Sequence, residues 1–231
     1  MSATPEGLTL ALFDLDDTLL DGDITGLWNQ WLIERGWIAD AATHRATWAA
    51  HMADYAAGTL DFEAHLAFLL APLAGRPVSE VEQEVTACLE ARVLPRLFPG
   101  GRARLDWHRR QGHRTLIISA STAQLVTPLA RRLGCDAALA TGLEEIDGRY
   151  TGRAKGTRTF RDGKLRALEE WLEDTPVRET WGYSDSRNDL PLLEAVDRPH
   201  AIHPDAALAA VAAQRGWAMP CWQEAATDEG A

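Results

Sequence analysis

The order of apolar and polar residues changes its rhythm several times along this chain. Leu8 to Leu15 is a brief apolar run cut short by acids, which reads as a buried strand. From Ile24 to Phe98 the rhythm is helical. Ile24, Leu27, Trp28, Trp31 and Leu32 share one face, and Trp48, Met52 and Tyr55 follow at spacings of four and three. Gly58 breaks that helix. Asp61 is placed to cap the next, whose stripe is Phe62, Leu66 and Leu69. Ser79 and Glu82 have the spacing of a capping box ahead of Val81, Val85 and Cys88. Pro95 and Pro99-Gly100 then punctuate the chain.

Beyond Gly100 helix and strand alternate. The pattern predicts helices over 102–110, 122–133, 164–172 and 189–196, and a further one from Asp205. It predicts strands over 115–119, 137–140, 180–183 and 198–202. Gly134 closes the second helix, and Asp147-Gly148 between Ile146 and Tyr150 is a hairpin turn. Such alternation implies parallel pairing. The expected fold is α/β, a Rossmann-like open parallel sheet core with a helical cap inserted after the first strand. The expected division is residues 1–22 and 99–231 for the core and 23–98 for the cap. Ligands of such sheets bind beyond the carboxyl ends of the strands, just after Phe13, Ile118 and Tyr183.

Composition narrows the partners. The 231 residues are 46% hydrophobic and 25% charged, with a net charge of −11. That is ordinary globular composition. An acidic surface repels phosphate backbones and anionic lipid, so neither nucleic acid nor a membrane is expected as partner. Cys88, Cys135 and Cys221 are odd in number and show no metal-ligand spacing. With no apolar leader and no 18-residue apolar run, a cytoplasmic location is expected.

Four polar clusters stand at predicted strand ends or helix starts. Asp14 and Asp16 are two residues apart at a strand end, which puts both carboxylates on one side. So close a pair ionises comfortably beside a cation, and Mg²⁺ suits hard oxygen ligands. Alternatively the run is a strand-end turn rich in acids. Ser119, with the amides that follow it, can hold an anion, although Ser121 or Thr122 can equally be a plain helix cap. Lys164 opens a helix, where the dipole disfavours a cation, and Lys155 competes for the same role. Asp185 sits at a strand tip where a further acidic metal ligand belongs, while Asn188 and Asp189 can also serve as caps. Taken in order, the four supply what phosphoryl transfer through an aspartyl-phosphate needs.

These residues resemble the haloacid dehalogenase superfamily in its phosphoserine-phosphatase-like branch. The motifs are Asp14-Leu15-Asp16-Asp17-Thr18, Ser119, Lys164 and Asp185-Ser186-Arg187-Asn188-Asp189, and the likeness covers nearly the whole chain. The resemblance implies that Asp14 attacks phosphorus and that Asp16 acts as acid and then base. It implies Mg²⁺ held by Asp14, the Asp16 carbonyl and Asp185. Ser119, the Ala120 amide and Lys164 would take phosphoryl oxygens, with Asn188 and Asp189 in support. Gly58 to Glu63 resembles part of the cap of that subgroup.

Asp23, nine residues after Asp14, matches the acid that reads a substrate amine in phosphoserine phosphatases. Ala67 falls where those enzymes carry a carboxylate-binding arginine, and Ala120-Ser121 replaces their usual glycine pair. The expected substrate is therefore a small amine-bearing phosphomonoester without a carboxylate. Similarity to a subgroup proposed as histidinol-phosphate phosphatases makes histidinol phosphate the first choice, with phosphoserine the alternative. A phosphotransferase, or a binding module that kept the fold, are the other classes, and the intact acids and Lys164 favour catalysis. Trp28, Trp31, Trp37 and Trp48 are expected in the cap core, with one or two free to stack on a planar group. His44, His51 and His65 are expected to be structural, and His200 and His203 without a role. Arg158 and Arg161 are candidates for guiding an anion.

Overall fold

A computed structural model of the chain describes residues 7–224. Six strands form one sheet: β1 (Leu8–Phe13), β2 (Arg114–Thr122), β3 (Ala137–Ile146), β4 (Arg149–Lys155), β5 (Val177–Ser184) and β6 (Arg198–Ala201). Their order is β4-β3-β2-β1-β5-β6, with every pairing parallel except β3 with β4. The sheet is thus α/β and Rossmann-like, and the chain reverses direction across it at β1.

Alternation along the strands sorts the core into two layers. Ala11, Phe13, Ile117 and Tyr183 face one side, where helices α1 (Ile24–Glu34), α4 (Val78–Cys88), α5 (Pro99–Arg110) and α6 (Ala123–Leu133) cover them. Leu10, Leu12, Leu116 and Ile118 face α7 (Asp162–Leu172) and α8 (Leu190–Ala195). Coverage of both faces explains why β1 is almost continuously apolar. Gly182 lets α8 lie against β5, since a β-carbon there would stand 2.9 Å from Val196.

Between β1 and α5 the chain is helical, as its rhythm predicts. Besides α1 and α4 it holds α2 (Ala41–Ala57) and α3 (Phe62–Leu70). Gly58 ends α2 in the left-handed conformation and Asp61 caps α3 through the Ala64 amide. The capping box at Ser79 does not form. Helix α4 starts after Pro77 without a side-chain cap, and the Val78 amide donates to Gly148 O at 2.9 Å. A tertiary bond to the β3–β4 turn therefore sets that helix start. The turn itself is as expected: Asp147 and Gly148 both have positive φ, the type I′ geometry. It lengthens β3 well past Ala140 by pairing it with β4. Helix α9 (Ala206–Arg215) follows β6, capped by Asp205. Among the described residues no helix is long and apolar enough to cross a membrane.

Candidate active site

Strand register brings the first, second and fourth clusters together. Phe13 pairs with Ile117 on one side and Tyr183 on the other. Asp14, Ser119 and Asp185 follow these positions by one or two residues, so they leave the sheet at the same edge. The Asp14 amide donates to Tyr183 O at 2.9 Å, and the Leu19 and Leu20 amides both turn back to Leu15 O. That turn carries Asp16 to the start of α1, where its Oδ1 accepts from the Ile24 amide at 2.7 Å. Its Oδ2 accepts from Ser121 Oγ at 2.9 Å.

Lys164 joins from α7. Its Nζ donates to Asp14 Oδ1 at 2.7 Å and to Asp189 Oδ2 at 2.6 Å, and all three side chains are buried. Ser184 Oγ also donates to Asp189, at 2.7 Å. Two carboxylates offset the helix dipole that disfavours a lysine here. Gly163 permits the placement, because a β-carbon there would fall 1.7 Å from Arg158 O. Lys155 is exposed on the edge strand β4, away from this group.

The acids crowd one another. Burial pushes Asp16 well above the usual carboxylate range, and the neighbouring Asp23 and Asp14 add to it. Asp185 is raised to about 9 by burial and then by Asp14, Asp189 and Asp17, and it lies within hydrogen-bonding reach of Asp14. Two carboxyls in contact need a proton or a cation between them. Thr18 Oγ1 donates to Asp185 Oδ1 at 3.3 Å. Among the described residues no three His, Cys, Asp or Glu side chains form a metal group. A divalent ion held by Asp14, Asp185 and the Asp16 carbonyl needs only two, and the Asp14–Asp185 contact fits such an ion. Ser119 Oγ accepts from the Ser121 amide at 3.1 Å, leaving its own proton without an acceptor among the described residues.

A cavity of about 610 Å³ opens over this floor, with Asp16, Asp23, Ala120, Asp185 and Asn188 in its lining. Asp23 caps α1 through the Thr25 amide at 2.8 Å, and burial raises it to about 6. The opposite wall comes from the inserted helices and includes Trp48, Met52, Tyr55, Phe62 and His65. Trp28 and Trp37 pack edge to face in the core, and Trp31 donates to Glu84. Ala67 lies exposed on α3 and does not line the cavity. The inner face of that helix is Phe62, His65 and Leu69, so position 67 does not decide whether a carboxylate is tolerated. Arg187 is the lining arginine, and its Nη2 donates to Ala56 O at 3.0 Å.

Arg158 and Arg161 are engaged elsewhere and neither lines the cavity. Arg158 pairs with Glu63 at 2.8 Å, and Arg161 spans Asn188 Oδ1 at 3.2 Å and Gly58 O at 3.1 Å. Both tie the inserted helices to the sheet side, as does the stacked pair Phe62–Phe160 at 4.6 Å. Ser121 is also more than a helix start, since it bonds Asp16 and lies 2.9 Å from Thr25 Oγ1. His200 stacks on Tyr183 and Trp181, and His203 accepts from the Trp222 amide, so both are structural.

Comparison with known proteins agrees with this geometry. The haloacid dehalogenase-like hydrolase family matches residues 11–194. A histidinol-phosphatase of Neisseria meningitidis serogroup C (strain 8013) is 38% identical over 214 residues, 90% of this chain and 96% of that protein. A phosphoserine phosphatase of Mycobacterium tuberculosis (strain ATCC 25618 / H37Rv) is 31% identical over 218 residues, 90% of this chain and 68% of that protein. A crystal structure of a protein of unknown function from Bordetella pertussis Tohama I superimposes with a TM-score of 0.86. It is 35% identical and covers 93% of this chain and 98% of that one.

Proposed function

The chain is a phosphatase that belongs to the haloacid dehalogenase-like hydrolases, and we propose that it hydrolyses a small amine-bearing phosphomonoester through a phosphorylated Asp14. The observation that carries this reading is the buried Asp14–Lys164–Asp189 group, with Asp14 close enough to raise Asp16, which lines the cavity. Lys164 holds the Asp14 side chain in place through its 2.7 Å hydrogen bond. An Asp14 oxygen attacks phosphorus as the bond from phosphorus to the leaving oxygen breaks. Asp16, which keeps its proton because burial and its acidic neighbours favour the neutral form, passes that proton to the leaving oxygen. The same carboxylate then takes a proton from the water that attacks phosphorus, releasing phosphate and restoring Asp14.

Ser119, the Ala120 amide and Lys164 receive the phosphoryl oxygens, where charge builds up. Asp189 and Ser184 steady Lys164, and Asn188 is held by Arg161. Phosphatases of this family generally use a divalent metal, usually Mg²⁺. Held by Asp14, Asp185 and the Asp16 carbonyl, it would neutralise charge on the phosphoryl group. The helical segment 23–98 acts as a cap domain on the core formed by residues 1–22 and 99–231. Among lining residues the acids outnumber the single arginine, and Asp23 suits an ammonium. With the 38% identity to a histidinol-phosphatase, this supports histidinol phosphate as the preferred substrate.

The test is phosphate release from histidinol phosphate and phosphoserine at equal concentration, with Mg²⁺ and with a chelator. Histidinol phosphate should turn over faster, and only with metal. Asp14→Asn should lower kcat by at least about 10³-fold and abolish covalent labelling by phosphate. Preference for phosphoserine would overturn the substrate, and labelling of the Asp14→Asn protein would overturn the mechanism.

A further inference from the structure

His65 is a buried base on an otherwise apolar helix face. It is 7% exposed, with Leu66, Leu69 and Leu70 buried beside it. Packing alone would favour another leucine, because a buried imidazole nitrogen without a partner costs about 1–3 kcal/mol. One nitrogen is accounted for: His65 Nδ1 meets His51 Nδ1 at 3.1 Å. Two Nδ1 atoms in contact share one proton, so the tautomers of His51 and His65 are coupled. Burial and the neighbouring His51 push His65 down to about 4, so the ring is neutral. Its other nitrogen, Nε2, bonds to nothing among the described residues, and the side chain lines the cavity.

The surroundings of that nitrogen define what fits against it. The Trp48 ring lies 5.7 Å from His65 and the Phe62 ring 6.3 Å, so the edge is framed by flat surfaces. Trp48 also neighbours the acid. Asp23 Oδ2 and Trp48 Cζ2 stand 3.4 and 3.5 Å from the point that a β-carbon on Gly26 would occupy. Carboxylate, indole and imidazole are therefore neighbours in turn along the cavity lining.

We propose that His65 is a specificity-determining residue whose Nε2 hydrogen-bonds a ring nitrogen of a flat heterocycle carried by the leaving group. The heterocycle sits against Trp48 and Phe62 while an ammonium on the same leaving group meets Asp23. This rests on the reading of the cavity as the leaving-group site of a phosphomonoesterase, and it adds the residue that reads the leaving group. His51 is a positioning residue, acting only through the proton it shares with His65.

The experiment compares wild type, His65→Leu and His65→Gln on two esters, histidinol phosphate and 2-aminoethyl phosphate. Both carry an amine and only the first has a ring. His65→Leu should lower kcat/KM for histidinol phosphate about 10–100-fold, mainly through KM, and change that for 2-aminoethyl phosphate by less than about threefold. His65→Gln, which keeps a hydrogen-bonding group, should recover part of the loss. Equal losses on both esters, or no loss on the ring ester, would overturn the inference and leave the phosphatase reading intact. Binding of the alcohol histidinol, followed by tryptophan fluorescence, needs no turnover and separates the two readings. Binding that weakens about tenfold in His65→Leu supports the inference even if phosphate release fails, and no binding to wild type refutes it.

Discussion

Lys164 and His65 are both buried bases beside the same cavity, yet opposite forces act on them. Burial opposes the charge on Lys164, but Asp14 and Asp189 outweigh it and hold the ammonium protonated. His65 has no carboxylate partner, only the His51 ring, so burial prevails and the ring stays uncharged. One side of the cavity is therefore a floor of paired ions fixed by strand register. The other is a wall of neutral rings fixed by helix packing. In the proposed mechanism the floor drives the reaction on a phosphomonoester, and in the proposed recognition the wall chooses among leaving groups.

The sharpest way to break this contrast is to remove each base in turn. Lys164→Met leaves two buried carboxylates uncompensated and should cost about 3–5 kcal/mol of stability, read from denaturant midpoints at constant m. His65→Leu should cost nothing measurable in the same assay, because no ion loses its partner. A His65→Leu variant as unstable as Lys164→Met would show that the wall, too, is held by polar contacts.

A smaller effect is expected at Asp23, where floor and wall meet. Its carboxyl is raised from 3.8 to about 6, so ionising it opposes folding. The sign follows from linkage: stability from this group is fully present below pH 3.8 and is lost as pH rises through about 6. Asp23→Asn stays neutral throughout, and asparagine caps a helix as well as aspartate does. The variant should match wild type near pH 3.5. It should exceed it by about 2–3 kcal/mol near pH 7.5, at 1.36 kcal/mol per unit. Its KM for amine-bearing esters should rise at the same time. A variant less stable at both pH values would show that Asp23 serves structure before recognition.

The two sides were also unequally legible in the sequence. Each floor residue ends a strand or opens a helix, and such positions follow from local rhythm. Asp14, Ser119, Lys164 and Asp185 could thus be placed before the sheet order was known. The wall depends on how separate helices face one another, which no local pattern encodes. Ala67 and His65 are two residues apart on α3, and only packing shows that the second faces the cavity and the first faces solvent. The available signal was a polar residue at the i, i+3, i+7 spacing of Phe62, His65 and Leu69. Ser79 failed for the related reason that a bond from Val78 to a distant turn outweighed the local capping pattern.

The smallest effect concerns what holds the wall against the floor. Arg158 and Glu63 make an ion pair across that junction, but their side chains are 30% and 66% exposed. Pairs so open to water contribute about 0.2–1 kcal/mol and weaken with salt. The Phe62–Phe160 stack beside them is an uncharged contact and is insensitive to ionic strength. Arg158→Ala should therefore lower stability by less than about 1 kcal/mol at low salt and by nothing measurable at 1 M salt, with KM unchanged. If the loss is larger, persists at high salt, or comes with a raised KM, then charge rather than ring contact positions the wall. The neutral character assigned to that side of the cavity would then have to be abandoned.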